Sequence, residues 1–137
     1  MPKFGKRSKG RLETCDKRLQ VVMNEVIKHA DISVLCGHRN KEDQNSAVAT
    51  GNSNAQWPNG RHNSFPSRAI DVALYRKDVP GGVDWADKEG FTLLAGFILG
   101  IAKGLNIELI WGNDWDGDFD TKDTSFHDYP HFELKNE

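Results

Sequence analysis

"RHNSFPSRAIDV", Arg61 to Val72, is the stretch on which the reading of this chain turns. It sets His62 and Asp71 nine positions apart, with Pro66 between them. Its second half runs into "AIDVALY", Ala69 to Tyr75, which reads as a strand. Near the other end, "HDYPHFEL", His127 to Leu134, brings further histidines to the start of a short final strand. His62, Asp71 and His131 are an imidazole, a carboxylate and an imidazole. Zinc in catalytic sites takes three such ligands and keeps a fourth position for water. Two of the three lie at strand ends, where side-chain direction is well fixed. Asp71 has apolar neighbours on both sides, and burying an unpaired carboxylate there is costly. A metal answers that cost, and so does an arginine, Arg39 or Arg68. Spacing alone leaves both open. His62 in its polar loop, taken alone, reads as a solvent-exposed histidine.

Around this stretch, helices and strands come in mixed order. Leu12, Cys15, Leu19, Val22, Met23, Val26 and Ile27 recur at three and four, the spacing of an amphipathic helix with Ser8 as its N-cap. "ISVLC" (Ile32–Cys36) reads as a strand ended by Gly37. A short helix follows, with Asn40 as N-cap and Gly51 as its stop. A loop precedes Ala69. Asp84 is expected to cap a second long helix to about Lys103. "IELIW" (Ile107–Trp111) and "PHFEL" read as strands separated by an acidic loop. The expected fold is α+β: one domain over residues 1–137, a small antiparallel sheet carrying the metal site, and two or three packed helices. Residues 1–10 are expected to be a flexible basic tail.

Composition fits this size class. The chain has 137 residues, 37% of them apolar, and a net charge of -2. Residues 1–18 hold seven Lys/Arg against two acids, and residues 111–137 hold eight acids against two lysines. That balance argues against a nucleic-acid partner. Cys15 and Cys36 form no CxxC pair and read as buried free thiols. No apolar region follows the basic N-terminus, so no signal peptide is expected. "FTLLAGFILGIAKGL" is too short to insert into a bilayer.

Other polar residues have two readings each. Asp128, three residues before His131, could take a proton from a metal-bound water, or be one more acid in an acidic loop. His127 could orient substrate or simply face solvent. Arg39 could grip a substrate carboxylate or form a structural pair. Glu133 reads as a surface carboxylate. Asp114, Asp116 and Asp118 alternate as calcium ligands do, yet Gly117 and Ser125 do not fit the positions of an EF-hand.

"RHNSFPSRAIDVALY" and "DYPHFEL" resemble the zinc-ligand segments of the D-Ala-D-Ala carboxypeptidase and L-alanyl-D-glutamate endopeptidase family, in its phage endolysin branch. The resemblance spans nearly the whole chain. It includes "FGKRS", "VLCGHRN" and "IELIWGNDWDGD". The family pattern is His, a gap, Ala-x-Asp, and much later Asp-x-x-His; His62, Ala69 to Asp71, and Asp128 to His131 match it. The resemblance implies that His62, Asp71 and His131 bind zinc, that Asp128 is the catalytic base and that Arg39 contacts substrate. It implies an α+β fold. Gly60 stands where the family often has Ser, so the expectation is that this contact is either missing or supplied by Ser64. The gap from His62 to Asp71 is longer than in the compact motif, and the inserted "SFP" resembles a phage lysin variant. Some members are tuned by calcium through the acidic loop.

The expectation is a zinc peptidase that cuts the stem peptide of bacterial peptidoglycan at the L-alanyl-D-glutamate bond, as a monomeric phage endolysin. It would accumulate in the host cytoplasm and reach the wall after holin-dependent release. A carboxypeptidase removing terminal D-Ala is the alternative within the family. A non-catalytic wall- or metal-binding module is the alternative outside it.

Overall fold

The computed structural model describes residues 2–135. Its frame is a four-stranded antiparallel sheet: β1 (Ile32–Cys36), β2 (Ala69–Leu74), β3 (Leu109–Trp111) and β4 (His131–Leu134), in the order β1-β2-β4-β3. Four α-helices accompany it: α1 (Lys6–Leu12), α2 (Lys17–Val26), α3 (Lys41–Ala49) and α4 (Lys88–Gly104). The fold is α+β, as the order of elements led us to expect.

Period two sorts the sheet into two faces. Val34, Ile70, Val72, Phe132 and Leu134 point to one side and are buried against Leu19, Val22 and Met23 of α2 and Leu94 and Ile98 of α4. Each large apolar side chain so enclosed contributes about 1.5–3 kcal/mol. The opposite face carries the intervening residues of β2 and β4, Asp71 and His131 among them.

Two helix expectations are corrected. The helix expected through Leu12–Ile27 is two helices, because Asp16 starts a new one: its carboxylate accepts from Arg18 N at 2.9 Å. The break is pinned by Asp16 N donating to the Ser67 carbonyl and Ser67 N to the Thr14 carbonyl. Cys15 therefore sits in a bridge to Ser67, not on a helix face. Ser8 lies inside α1, and its hydroxyl accepts from Val34 N at 2.9 Å. The basic segment is thus helical from Lys6 and packed on β1. Asp84 does not cap α4. Asp87 does, accepting from Gly90 N at 2.9 Å, while Asp84 holds the turn at Ala86. Asn40 caps α3 as expected.

Among the described residues, no helix is long and apolar enough to cross a membrane.

Candidate metal centre

The register of the sheet builds the site. Asp71 lies directly opposite His131 across β2 and β4, and Cys36 opposite Asp71 across β1 and β2. Residues paired this way share a face and stand within side-chain reach. His62 arrives from above, on a short turn at Arg61–Asn63. Its carbonyl accepts from Arg39 N at 2.8 Å, and its Nδ1 donates to the Gly37 carbonyl at 2.7 Å. A Cβ at Gly37 would collide with Thr14 Oγ1 and the Arg11 carbonyl, so only glycine lets the chain pass this close.

Three donor atoms then converge. His62 Nε2 lies 3.1 Å from Asp71 Oδ1 and 3.3 Å from His131 Nδ1, and His131 Nδ1 lies 3.2 Å from Asp71 Oδ1. His131 Nε2 donates to Glu133 Oε1 at 2.8 Å, and Arg61 holds Glu133 at 3.3 Å. Both imidazoles thus spend one N–H outward and aim the other nitrogen at a common point. Asp71 Oδ2 faces Arg39 at 3.8 Å. The oxygen of Asp71 that meets the two imidazoles and the one that faces Arg39 are thus different.

The charges follow from burial and these neighbours. Burial disfavours the Asp71 carboxylate, but the charge of His62 and bonds to both imidazoles override it and hold the carboxyl below its usual range. Burial likewise opposes a charge on His62, yet Asp71 pushes it up to about 10, and the same contest leaves His131 at about 9. Asp128 lies 3.7 Å from His131 Nδ1. Burial first, then the negative charge of Asp71, pushes it up to about 6, against the pull of His131, His62 and Arg39.

An open groove of about 790 Å³ runs past these groups. Arg11, Arg39, Trp85, His127 and Asp128 line it with Asp71. His127 is held by Asn113 Oδ1 and stacks on Tyr129. Ser64 is not on the groove wall: its hydroxyl donates to the Pro66 carbonyl at 3.0 Å. Asp114, Asp116 and Asp118 each offer an oxygen within 4.8 Å of the others.

Three residues matter more than their sequence context suggested. Glu133 is the partner of a buried imidazole and not a surface acid; its two-residue offset from His131 on a strand was the available signal. Cys36 is only half-buried and forms, with His62 and Asp71, a potential metal-binding group whose donors lie within 4.8 Å of one another. Gln44 is 1% exposed. Its Oε1 accepts from Arg39 Nη1 and Asn63 Nδ2, both at 3.0 Å, and its Nε2 donates to Ser53 Oγ and the Ala55 carbonyl. No local pattern flags it, since its burial depends on how residues 51–60 fold over α3.

Residues 1–135 match the family of phage L-alanyl-D-glutamate peptidases. The chain belongs to that family. It is 30% identical, over 96% of its length and 97% of the relative's, to the L-alanyl-D-glutamate peptidase of Escherichia phage T5. Its fold is similar to that of the L-Ala D-Glu endopeptidase ChiX of Serratia marcescens, with a TM-score of 0.69, 24% identity, and coverage of 97% of this chain and 90% of the other. In this peptidase His62, Asp71 and His131 converge, and Asp71 lines the groove together with Asp128.

Proposed function

We propose that this peptidase is a zinc enzyme that cuts the L-alanyl-D-glutamate bond of the peptidoglycan stem peptide, with His62, Asp71 and His131 as ligands and Asp128 as the base. The observation that carries this reading is the donor triangle of 3.1, 3.2 and 3.3 Å. Tetrahedral ligands about 2.0–2.1 Å from zinc lie about 3.3–3.4 Å apart. The donor set, nitrogen, oxygen and nitrogen with outer partners on both imidazoles, suits the same ion.

His62, Asp71 and His131 would hold the zinc, which when bound would supply Lewis acidity toward a water and the scissile carbonyl. Asp128 takes the water's proton and later returns it to the leaving amine. Its raised pKa suits both halves of that exchange. Arg39, braced by Gln44, anchors a substrate carboxylate beside Asp71. Glu133 and the Gly37 carbonyl keep the imidazoles in the required tautomers. His127 borders the groove as a substrate contact. Ser64 reaches substrate only if its turn rearranges.

Calcium belongs to the same reading. Asp114 is 6% exposed, and its Oδ1 accepts no hydrogen bond among the described residues, while Oδ2 accepts from Phe119 N at 2.9 Å. An orphaned buried carboxylate oxygen beside Asp116 and Asp118 fits a hard cation. The loop backs onto the site, since Asn113 holds His127 and the ring of Trp115 lies 5.4 Å from that of His131. Action as a single-domain, monomeric endolysin released by a holin completes the proposal.

Digestion of purified peptidoglycan with and without a zinc chelator tests it. New L-Ala C-termini and D-Glu N-termini that vanish on chelation are the expected products by mass spectrometry. Loss of terminal D-Ala alone would move the enzyme to the carboxypeptidase activity. No cleavage with zinc and calcium restored would leave a binding module.

A further inference from the structure

The mechanism above makes no use of the basic N-terminal segment, yet that segment adjoins the catalytic groove. Arg11 and Leu35 line both that groove and a second one of about 470 Å³, which follows β1 beneath Lys3, Lys6 and Arg7. Asp31 is the one carboxylate among the residues lining the second groove. Arg11 is fixed at the junction: Nη1 donates to the Val34 carbonyl at 3.1 Å, leaving the rest of its fork for a ligand.

Position along β1 sets what Arg11 can reach. Val34 is two residues from Cys36, and Cys36 faces Asp71. That is about 7 Å along the strand, which an extended peptide covers in about two residues. The substrate supplies matching charge. A glutamate uses its amine and only one carboxyl in a peptide chain, so the other stays anionic beside the scissile bond. The peptide's C-terminus adds another carboxylate downstream. Arg39, 3.8 Å from Asp71, is placed for the nearer anion.

We propose that Arg11, backed by Lys6 and Arg7, binds a stem-peptide carboxylate about two residues beyond the scissile bond on its D-Glu side. The claim rests on the peptidase reading and makes Arg11 a specificity residue for it. A guanidinium recognises a carboxylate bidentately, which a lysine does not reproduce.

The test is calorimetric binding of an N-acetylated L-Ala-D-Glu-L-Lys tripeptide, as free acid and as C-terminal amide, to the zinc-loaded Asp128→Ala protein, which leaves the peptide uncut. The acid should bind about tenfold more tightly than the amide, the size of one charge-assisted contact. Adding Arg11→Met should bring the ratio to about one without changing amide binding, and Arg11→Lys should leave an intermediate ratio. Melting curves check that each variant folds; if Arg11→Met does not, Arg11→Lys carries the comparison. An acid-to-amide preference that survives Arg11 substitution, or that is absent before it, would overturn the proposal. So would an Arg11→Met protein that keeps the preference and instead loses retention on walls bearing anionic phosphate polymer, because that polymer would then be the ligand. Cleavage of the same peptide by the parent enzyme is measured alongside. Its absence with the preference intact counts against the peptidase reading alone.

Discussion

Asp128 and Glu133 stand on opposite sides of His131 and do different work. Asp128 faces the groove, so its loss should remove the proton transfer and spare the metal. Asp128→Ala should lower kcat by about 10²–10⁴-fold with one zinc per chain retained, read by kinetics and metal analysis. Its pKa of about 6 also gives the pH profile a sign. A base must be ionised, so activity falls as pH drops through the pKa. A cation bound beside it favours the ionised form, so the acid limb of kcat/KM should lie at or below about pH 6. A profile flat from about pH 4 to 7 would take the role from Asp128. Glu133 faces away from the groove and holds the far nitrogen of the imidazole. Glu133→Gln should weaken zinc affinity about 10–100-fold, measured by competition with a chromogenic chelator. An unchanged affinity would reduce Glu133 to an Arg61 partner.

At the scale of elements, the strands were the legible part. The strands read from "ISVLC", "AIDVALY" and "PHFEL" form, the last two one residue shorter, "IELIW" is a strand only from Leu109 to Trp111, and Asp71 pairs with His131 where spacing alone had left a metal and an arginine both open. The helices were less legible. The spacing of Leu12, Cys15 and Leu19 runs unbroken through the sequence, but Asp16 caps a new helix there and Ser67 takes the freed backbone bonds. That contact comes from 51 residues away and leaves no local trace. Gln44 was equally invisible, because α3 and the loop after it decide its burial together. Its four hydrogen bonds join Arg39 to the turn bearing His62. Gln44→Leu would leave Arg39 and Asn63 short of a buried acceptor, a cost of about 1–3 kcal/mol for each. The expected outcome is a lower melting temperature and a KM raised more than kcat is lowered, because Arg39 loses its brace. An equal change in both would point to a general loss of fold. Gly112 is a second junction of this kind. Its N–H donates to the His131 carbonyl and its carbonyl accepts from Asp128 N, and a Cβ there would collide with the Asp128 carbonyl.

For the molecule as a whole, the sheet carries Asp71 and His131, while the remaining parts of the site stand on loops that reach the sheet through a few backbone bonds such as Asp128 N to the Gly112 carbonyl. His127 and Asp128 follow the acidic loop, and Asn113 and Trp115 tie that loop to His127 and Phe126. The loop holds itself together by turns in which Asp118 and Asp120 accept from backbone N–H groups two residues on. Burial comes first in pushing Asp114 up, and the bond from Phe119 only partly offsets it. A divalent cation between Asp114, Asp116 and Asp118 would relieve that cost and stiffen the wall of the groove that carries the base. Binding to the native state alone stabilises it by about 2.7 kcal/mol at one hundred times Kd. Calcium should therefore raise the melting temperature of the zinc-loaded enzyme and raise kcat. Asp114→Asn keeps the shape of the side chain while removing its charge, and should abolish both effects while leaving zinc content unchanged. Stabilisation by calcium that persists in Asp114→Asn would place the cation elsewhere. Stabilisation without a gain in kcat would mean that the loop and the base move independently.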